Sequence, residues 1–296
     1  MDEMDKLKYK IIYIVAPGRS GSTILEILLS HGKDTFGTGE LTQIVEDGFI
    51  KNKRCSCSKN FKDCEIWREV SRNMSLSVAE INKWEEIQKK IDWHTGFLRQ
   101  ILNLISKKDL KLYESFNKKL FDSIHKETNA KFIIDSSKYS GRALALWKIF
   151  KDNIFYIRMI RSPEGLMSSF QKPNKDEQRP KKPFQVFIYY SFVILSLRIL
   201  SFLIPKKQVL CISYEDLIHL PFKVISQIEK FCGLNLEETK KKLKRGEYFD
   251  VGHIITGNRI RKLGKVKFNP FLGRPNLNNV KEKFFVHLMR IVSLIL

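Results

Sequence analysis

Acidic residues are scarce in this sequence relative to basic ones. The 296 residues include 32 Asp and Glu against 53 Lys and Arg, which gives a formal net charge of +21. Such an excess favours contact with polyanions or anionic membrane surfaces and does not distinguish between them. The sequence also lacks any run of five consecutive basic residues. This diffuse charge is more typical of a solvated surface than of a nucleic-acid groove, so we expect no specific nucleic-acid partner.

A secretory signal is missing as well. The first ten residues are charged and contain no apolar run that ends in small residues, as a signal peptide would. Cysteine is sparse, with five residues, and an odd number is not the pattern of a disulfide framework. We therefore expect a cytoplasmic protein.

Long apolar runs are few. Residues 184–204 are long enough to cross a bilayer, but a bilayer would penalise Arg198 in their interior. We therefore interpret this segment as a buried helix. At the end of the chain, residues 280–296 place apolar side chains at helical spacing beside lysines and an arginine. They predict an amphipathic helix that either packs on the core or lies at a membrane surface, so peripheral membrane contact stays open.

Strand-like and helix-like segments alternate along the chain. Residues 10–16 form a β-branched apolar run that Pro17 and Gly18 end, and a helical period follows at residues 22–30. Further strands are predicted at residues 131–134, 154–160 and 208–212. Because strands alternate with helices, the fold class is α/β, with a P-loop-like parallel sheet flanked by helices.

A largely helical, polar segment interrupts this alternation at about residues 64–126. No clear strand occurs within it, so we interpret it as a helical insertion after the first strand–helix unit, between the first and second core strands. A length of 296 residues fits one large α/β domain. We therefore expect residues 1–296 to form a single domain.

Glycines and hydroxyl residues occupy the junction between the first strand and the first helix, in the motif APGRSGST at residues 16–23. Glycine allows a tight turn there, and successive N–H groups and the helix dipole attract an anion. The predicted phosphate-binding residues are Gly18, Arg19, Ser20, Gly21, Ser22 and Thr23. A nucleotide kinase would carry a lysine after the second glycine, whereas here Arg19 is the only cation. The alternative is a plain strand-to-helix turn.

Further motifs follow this loop in a fixed order. They are Gly39 and Glu40 after the first helix, DSSK at residues 135–138, IRSPEGLMSSF at 160–170, SYEDL at 213–217 and GHIITGNRIR at 252–261. With these motifs the sequence resembles the sulfotransferases that use 3'-phosphoadenosine 5'-phosphosulfate (PAPS). The resemblance is to the branch of Golgi carbohydrate and tyrosylprotein enzymes and their bacterial relatives, and it spans residues 11–261.

The resemblance implies roles for individual residues. In that family the glutamate at Glu40 is the general base, and the lysine at Lys138 lies close to the sulfuryl group. The nucleotide contacts implied outside the loop are Arg161, Ser169, Tyr214, Asn258 and Arg261, of which the first two hold the 3'-phosphate. The sequence departs from the family at Ser162 and Pro163, which replace a turn that more usually contains an acidic residue.

The chemistry of sulfuryl transfer supports the same roles independently. Like phosphoryl transfer, it depends on alignment and on stabilising charge rather than on a protein nucleophile. Arg19 and Lys138 can supply the positive charge, and the carboxylate of Glu40 can accept the proton that an acceptor hydroxyl loses. The alternative for Glu40 is a glutamate favoured at a helix N-terminus. PAPS is then the co-substrate, and no metal is expected because none has to bridge two phosphates.

Three cysteines, Cys55, Cys57 and Cys64, have the spacing C-x-C-x6-C. A structural zinc site needs four ligands, and the sequence shows only three thiols close together. Similar cysteine-rich segments occur in the bacterial relatives that the sequence resembles. We therefore interpret the segment as a loop that is stapled or packed near the acceptor entrance, with zinc as the less favoured alternative.

Two other functions remain as alternatives. A P-loop kinase or NTPase is one, because Asp135 at the end of an apolar strand resembles a magnesium-binding aspartate. A basic membrane-associated binding protein is the other, because of the net charge and the two apolar segments. For the sulfotransferase reading, the preferred acceptor by resemblance is a carbohydrate hydroxyl, with protein tyrosine, lipid and small alcohols still open.

Overall fold

Five parallel strands form the centre of the structure, a computed structural model that describes residues 7–172, 180–257, 259–270, 275, 277 and 279–295. The strands are β1 (Lys10–Val15), β2 (Thr35–Gly37), β3 (Phe132–Lys138), β4 (Ile154–Ile160) and β5 (Val209–Ser213). Their order across the sheet is β2-β3-β1-β4-β5, and all neighbours are parallel. A small antiparallel pair, β6 (Tyr248–Asp250) and β7 (Lys265–Lys267), lies outside this sheet.

Helices surround the sheet. In chain order they are α1 (Ser22–Leu29), α2 (Glu65–Met74), α3 (Val78–Ile91), α4 (His94–Ile101), α5 (Lys107–Thr128), α6 (Ser140–Phe150), α7 (Pro163–Gln171), α8 (Pro183–Leu203), α9 (Tyr214–His219), α10 (Pro221–Cys232), α11 (Glu237–Arg245) and α12 (Val280–Ile295). A π-helical segment, Ile44–Ile50, follows β2. The arrangement confirms the predicted α/β class.

The central strand β1 is buried on both faces because alternate side chains point to opposite sides of a sheet. Tyr13 and Val15 belong to one hydrophobic cluster, and Ile12 and Ile14 belong to a second cluster on the other face. Helices therefore cover the sheet on both sides, as an all-parallel sheet requires. The carboxyl ends of the strands and the loops after them form one edge, where α/β sheets bind ligands.

The predicted helical segment consists of α2 to α5 and lies between β2 and β3. Its helices have ordinary start signals: α3, for example, begins with a capping box in which Ser77 and Glu80 satisfy each other's backbone N–H groups. The short strand β2 was not predicted, so the insertion follows the second strand along the chain rather than the first. With only three residues, β2 carries no apolar run that a periodicity could show.

The long apolar helix α8 is buried on one face only. Its length and composition would allow it to cross a membrane, and 39% of its most apolar stretch is buried. Val186 and Tyr190 pack with Met289 of α12 in a third hydrophobic cluster, whereas Phe202 is 79% exposed. The C-terminal amphipathic helix thus packs against the protein, the first of its two expected uses, and Arg290 ties it to Glu164 of α7.

Candidate active site

The glycine loop lies between β1 and α1, at the ligand-binding edge of the sheet. Arg19 and Gly21 both have left-handed backbone angles, with φ of 69° and 87°. At Gly21 a Cβ atom would lie 2.4 Å from the ring of Tyr214, so only glycine fits there. The N–H of Gly18 donates to the hydroxyl of Tyr189 at 2.7 Å. This curled backbone at the start of a helix has the form of an anion cradle.

A cavity of about 670 Å³ opens at this loop. Most of the charged side chains that line this cavity are basic. The basic lining residues are Arg19, Lys53, Lys138, Lys181, Arg261 and Lys262, and the acidic ones are Glu40 and Asp47. Among the residues that the structure describes, none hydrogen-bonds to the side chain of Arg19. The cavity therefore suits a ligand with several negative charges.

Glu40 and Lys138, predicted from separate motifs, meet in this cavity. Lys138 Nζ lies 2.5 Å from Glu40 Oε1, and the two side chains are only 17% and 8% exposed. The backbone of Lys138 has a φ of 74° and follows an irregularity in the pairing of β1 with β3. Such bulges commonly redirect a side chain next to an active site. Here the irregularity lies just before the lysine that pairs with Glu40.

A buried carboxylate, Glu26 of α1, holds the loop that carries Glu40. Its two oxygens accept hydrogen bonds from the N–H of Gly39 at 2.5 Å and from the hydroxyl of Ser136 at 2.6 Å. Glu26 is fully buried, and burial raises its pKa to about 8. We did not predict this residue. The available signal was a single carboxylate among the apolar residues of α1.

The backbone of Glu40 is held from the other side by the loop at residues 252–257. Thr256 Oγ1 donates to the carbonyl oxygen of Glu40 at 2.6 Å. Gly39 has a φ of 76°, and a Cβ atom there would lie 2.6 Å from Ile254 and 2.7 Å from the carbonyl oxygen of Thr256. The glycine in the Gly39–Glu40 motif thus lets two loops approach closely, and sequence reasoning missed Thr256.

A second cavity, of about 600 Å³, adjoins the first. Arg161, Ser169 and Tyr214, three of the predicted nucleotide contacts, line it. The guanidinium of Arg161 stacks over the ring of Tyr214 at 4.4 Å and donates to the carbonyl oxygen of Arg19 at 2.7 Å. Desolvation lowers the pKa of Arg161. Arg161 therefore joins the glycine loop of the first cavity to the second cavity.

The structure describes one of the two remaining predicted contacts, Arg261. Arg261 lines the first cavity rather than the second and donates to the carbonyl oxygen of Arg54 at 3.0 Å. Asn258 lies outside the described residues. The structure thus brings Arg19, Glu40 and Lys138 together in one cavity and places the predicted 3'-phosphate contacts in the next.

Asp135, on which the kinase alternative depends, does not face either cavity. It is 0% exposed and accepts a hydrogen bond from Arg142 Nε at 2.8 Å. Arg142 is itself fully buried and also pairs with Asp92. Because its carboxylate is committed to this internal ion pair, the expectation that Asp135 could bind magnesium beside a nucleotide is wrong. Asp135 instead anchors α6 to β3.

Two histidines, His31 and His94, have structural partners. His31 Nδ1 lies 2.9 Å from the carbonyl oxygen of Ile27, and His94 Nδ1 lies 3.1 Å from Ser140 Oγ. Burial lowers the pKa of His94 to about 4. Neither histidine lines the cavity that contains Glu40.

Comparison with known proteins identifies the same chemistry at the level of family. Residues 12–238 match the model of the sulfotransferase family. The structure is similar to the sulfotransferase domain from the curacin biosynthetic pathway, with 16% sequence identity and a TM-score of 0.51, covering 97% of this chain and 99% of that chain. At this identity the likeness shows the fold. The sequence has no significant match among curated proteins.

Two further solved structures show weaker similarity. The sulfotransferase domain from the Synechococcus PCC 7002 olefin synthase has 16% identity and a TM-score of 0.49, covering 98% of both chains. Mouse sulfotransferase SULT7A1, solved in complex with PAP, has 12% identity and a TM-score of 0.46, covering 97% of this chain and 85% of that chain.

Proposed function

The chain belongs to the sulfotransferase family and is an enzyme of sulfuryl transfer, and we propose that it moves the sulfuryl group of PAPS to a carbohydrate hydroxyl. The observation that carries the proposal is the pair formed by Glu40 and Lys138 beside the glycine loop. It puts a proton acceptor and a cation 2.5 Å apart in the cavity that the anion cradle lines. Sulfuryl transfer to a hydroxyl needs both groups at one point.

The two adjoining cavities match the two ends of PAPS. The glycine loop, with Arg19, would hold the 5'-phosphosulfate through backbone N–H groups and positive charge. Arg161 and Ser169 in the second cavity would hold the 3'-phosphate. Since Arg161 also hydrogen-bonds to the loop at Arg19, binding at one end supports the geometry at the other end.

The reaction is a displacement at sulfur. The acceptor oxygen forms a new bond to the sulfur, and the bond between the sulfur and the 5'-phosphate oxygen breaks, which releases PAP. Glu40 takes the proton from the acceptor hydroxyl, while Lys138 and Arg19 stabilise the charge on the sulfuryl oxygens and on the leaving phosphate. Because Glu40 is nearly buried, few water molecules can compete with the acceptor at its carboxylate.

Polar side chains in the cavity that contains Glu40 support a carbohydrate as the acceptor. Gln43, Asp47 and Lys53 line this cavity, and Asp47 pairs with Lys53 at 2.7 Å. An amide and an ion pair offer donors and acceptors for several hydroxyl groups. A lipid acceptor would displace water from these groups without forming hydrogen bonds to them, which is costly.

The proposal is tested by measuring the transfer of radiolabelled sulfate from PAPS to carbohydrate, lipid and protein fractions of the native cell. The enzymes compared are purified wild type, Glu40→Gln and Lys138→Ala. Glu40→Gln cannot accept the proton and should lower kcat by about 10² to 10⁴ fold with donor affinity nearly unchanged. A nitrophenol, whose hydroxyl is already acidic, should partly restore turnover by Glu40→Gln. It should restore Lys138→Ala less, because that variant lacks positive charge rather than a base.

Glu46→Gln provides the matched control. Glu46 lies six residues further on and pairs with Lys51 at the surface, so this variant should turn over at the wild-type rate. Wild-type activity of Glu40→Gln would remove the proposed base. Label that enters lipid or protein but not carbohydrate would reject the proposed acceptor and leave the donor assignment standing.

A further inference from the structure

Three cysteines and one histidine converge at a point outside the two cavities. The donor atoms of Cys55, Cys57, Cys64 and His253 all lie within 4.8 Å of one another. Cys64 Sγ is 3.8 Å from Cys55 Sγ and 3.2 Å from His253 Nδ1. The sequence showed only three neighbouring thiols. Folding adds the missing fourth ligand from a loop 189 residues away from Cys64.

The spacing of these atoms fits a tetrahedral metal better than a disulfide. With Zn–S bonds of about 2.3 Å and Zn–N bonds of about 2.1 Å, the edges of a tetrahedral site are about 3.8 Å between sulfurs and about 3.6 Å between sulfur and nitrogen. The observed 3.8 Å between sulfurs equals the first edge and is far longer than a disulfide bond of about 2.05 Å. The observed 3.2 Å between Cys64 Sγ and His253 Nδ1 is shorter than the second edge, so these two groups would move apart slightly around a metal. All four groups are types that zinc prefers.

The surroundings of the cluster hold the imidazole of His253 in place. Cys55 and Cys64 are buried. On the other side of the imidazole ring, Glu65 Oε1 lies 3.5 Å from His253 Nε2. A carboxylate behind a ligating histidine is the usual support of a zinc ligand.

We propose that these four residues form a structural zinc site. The cysteine loop, residues 55–64, brings two of the ligands together in a tight turn. The N–H of Ser58 donates to the carbonyl oxygen of Cys55 at 2.9 Å, which closes the turn that contains Cys55 and Cys57. Four protein ligands complete a tetrahedron and leave no position for water, so the site is structural rather than catalytic. The zinc would take no part in sulfuryl transfer.

The site would fasten the loop that supports the catalytic base. The cysteine loop already contacts the loop at residues 252–257 through Ser56, whose N–H donates to Ile254 O at 2.9 Å. Trp67 of α2, just after the cysteine loop, donates its indole N–H to His253 O at 2.6 Å. Three residues after His253, Thr256 holds the backbone of Glu40. A metal bound at His253 would therefore fix the position of Thr256 and, through it, the position of Glu40.

The test measures metal directly in wild-type protein purified without added metal. Inductively coupled plasma mass spectrometry should find about one zinc ion per chain. Replacing the zinc with Co²⁺ should give the intense visible absorption of a tetrahedral thiolate complex. Protein that holds no zinc and gives only the weak cobalt absorption of an octahedral site would overturn the proposal. So would recovery of Cys55 and Cys64 as a disulfide.

Matched cysteine variants locate the site. Cys64→Ser should lower zinc affinity at least tenfold, whereas Cys211→Ser, at an exposed cysteine, should hold as much zinc as wild type. If Cys64→Ser does not fold, Glu65→Gln gives a milder change, with an expected loss of about tenfold in zinc affinity because it removes the support of His253. Equal zinc content in wild type and a folded Cys64→Ser would contradict the assignment. PAP binding, followed by thermal shift, tests the donor site separately.

Discussion

The substitution Glu26→Gln tests whether the buried Glu26, which supports the loop that carries Glu40, is protonated in the folded protein. Burial raises the pKa of Glu26 from its ordinary value of 4.5 to about 8 in the folded protein. A group with a raised pKa stabilises the fold below the pKa of the unfolded chain and loses that contribution as the pH rises through the folded pKa. Wild type should therefore lose stability between about pH 5 and pH 9.

The size of the effect follows from the two pKa values. Their difference is about 3.5, and each unit corresponds to about 1.4 kcal/mol, so the full effect is about 5 kcal/mol. Glutamine has the same shape and no charge. Its amide oxygen can accept from the N–H of Gly39, and its amide nitrogen can donate to Ser136. Glu26→Gln should therefore match wild type near pH 5 and exceed its free energy of unfolding by several kcal/mol near pH 9.

Urea unfolding of both proteins at about pH 5, 7 and 9 measures this difference through the midpoint at constant m. Glu114→Gln is the control, because Glu114 lies in an exposed pair with Lys118 and should show no such divergence. If the free energies of unfolding of wild type and Glu26→Gln stay parallel over this range, Glu26 is ionised in the folded protein at all three pH values. The reasoning from burial would then be refuted.

Two arginines, Arg161 and Arg142, give the remaining predictions, one on donor binding and one on stability. Arg161→Ala should weaken binding of PAP at least tenfold in calorimetry. The loss should be smaller for adenosine 5'-phosphosulfate, which has no 3'-phosphate and would feel only the lost contact with the glycine loop. Equal PAP affinity in both proteins would remove Arg161 from the donor site. Arg142→Met leaves Asp135 and Asp92 buried without their counter-ion, so it should lower the free energy of unfolding by about 3 to 5 kcal/mol in urea. A loss below about 1 kcal/mol would show that the two carboxylates are protonated or solvated.

Four of the five strands of the central sheet could be predicted because each contains a short apolar run next to turn residues. The predicted strand at residues 154–160 coincides with β4, and the strand at residues 10–16 is one residue longer than β1. Prediction ended β3 at Ile134, four residues early, because the polar residues from Asp135 onward break the apolar run. In the structure Asp135 stays in the strand since Arg142 neutralises it, a contact that no local pattern reveals.

The charged residues that line the candidate site could also be predicted. The residues that hold their backbone in place could not. Arg19, Glu40 and Lys138 each belong to a motif with a recognisable chemical reason, and the structure places them in one cavity. Glu26 and Thr256 act by hydrogen-bonding the backbone next to Glu40. Such contacts depend on which loops meet in three dimensions, so the residue types alone carry almost no signal.

The loop at residues 252–257 shows why this distinction matters for the activity. Its main signals in the sequence were a glycine and a histidine in a weak motif, yet it contacts the cysteine loop through His253 and the loop that carries Glu40 through Thr256. Glu40 is thus positioned by two long-range contacts in series, and neither contact touches the donor or the acceptor. A change in the cysteine loop should therefore alter turnover through the position of Glu40, while the glycine loop and Arg161, which lie on other elements, keep their affinity for the donor.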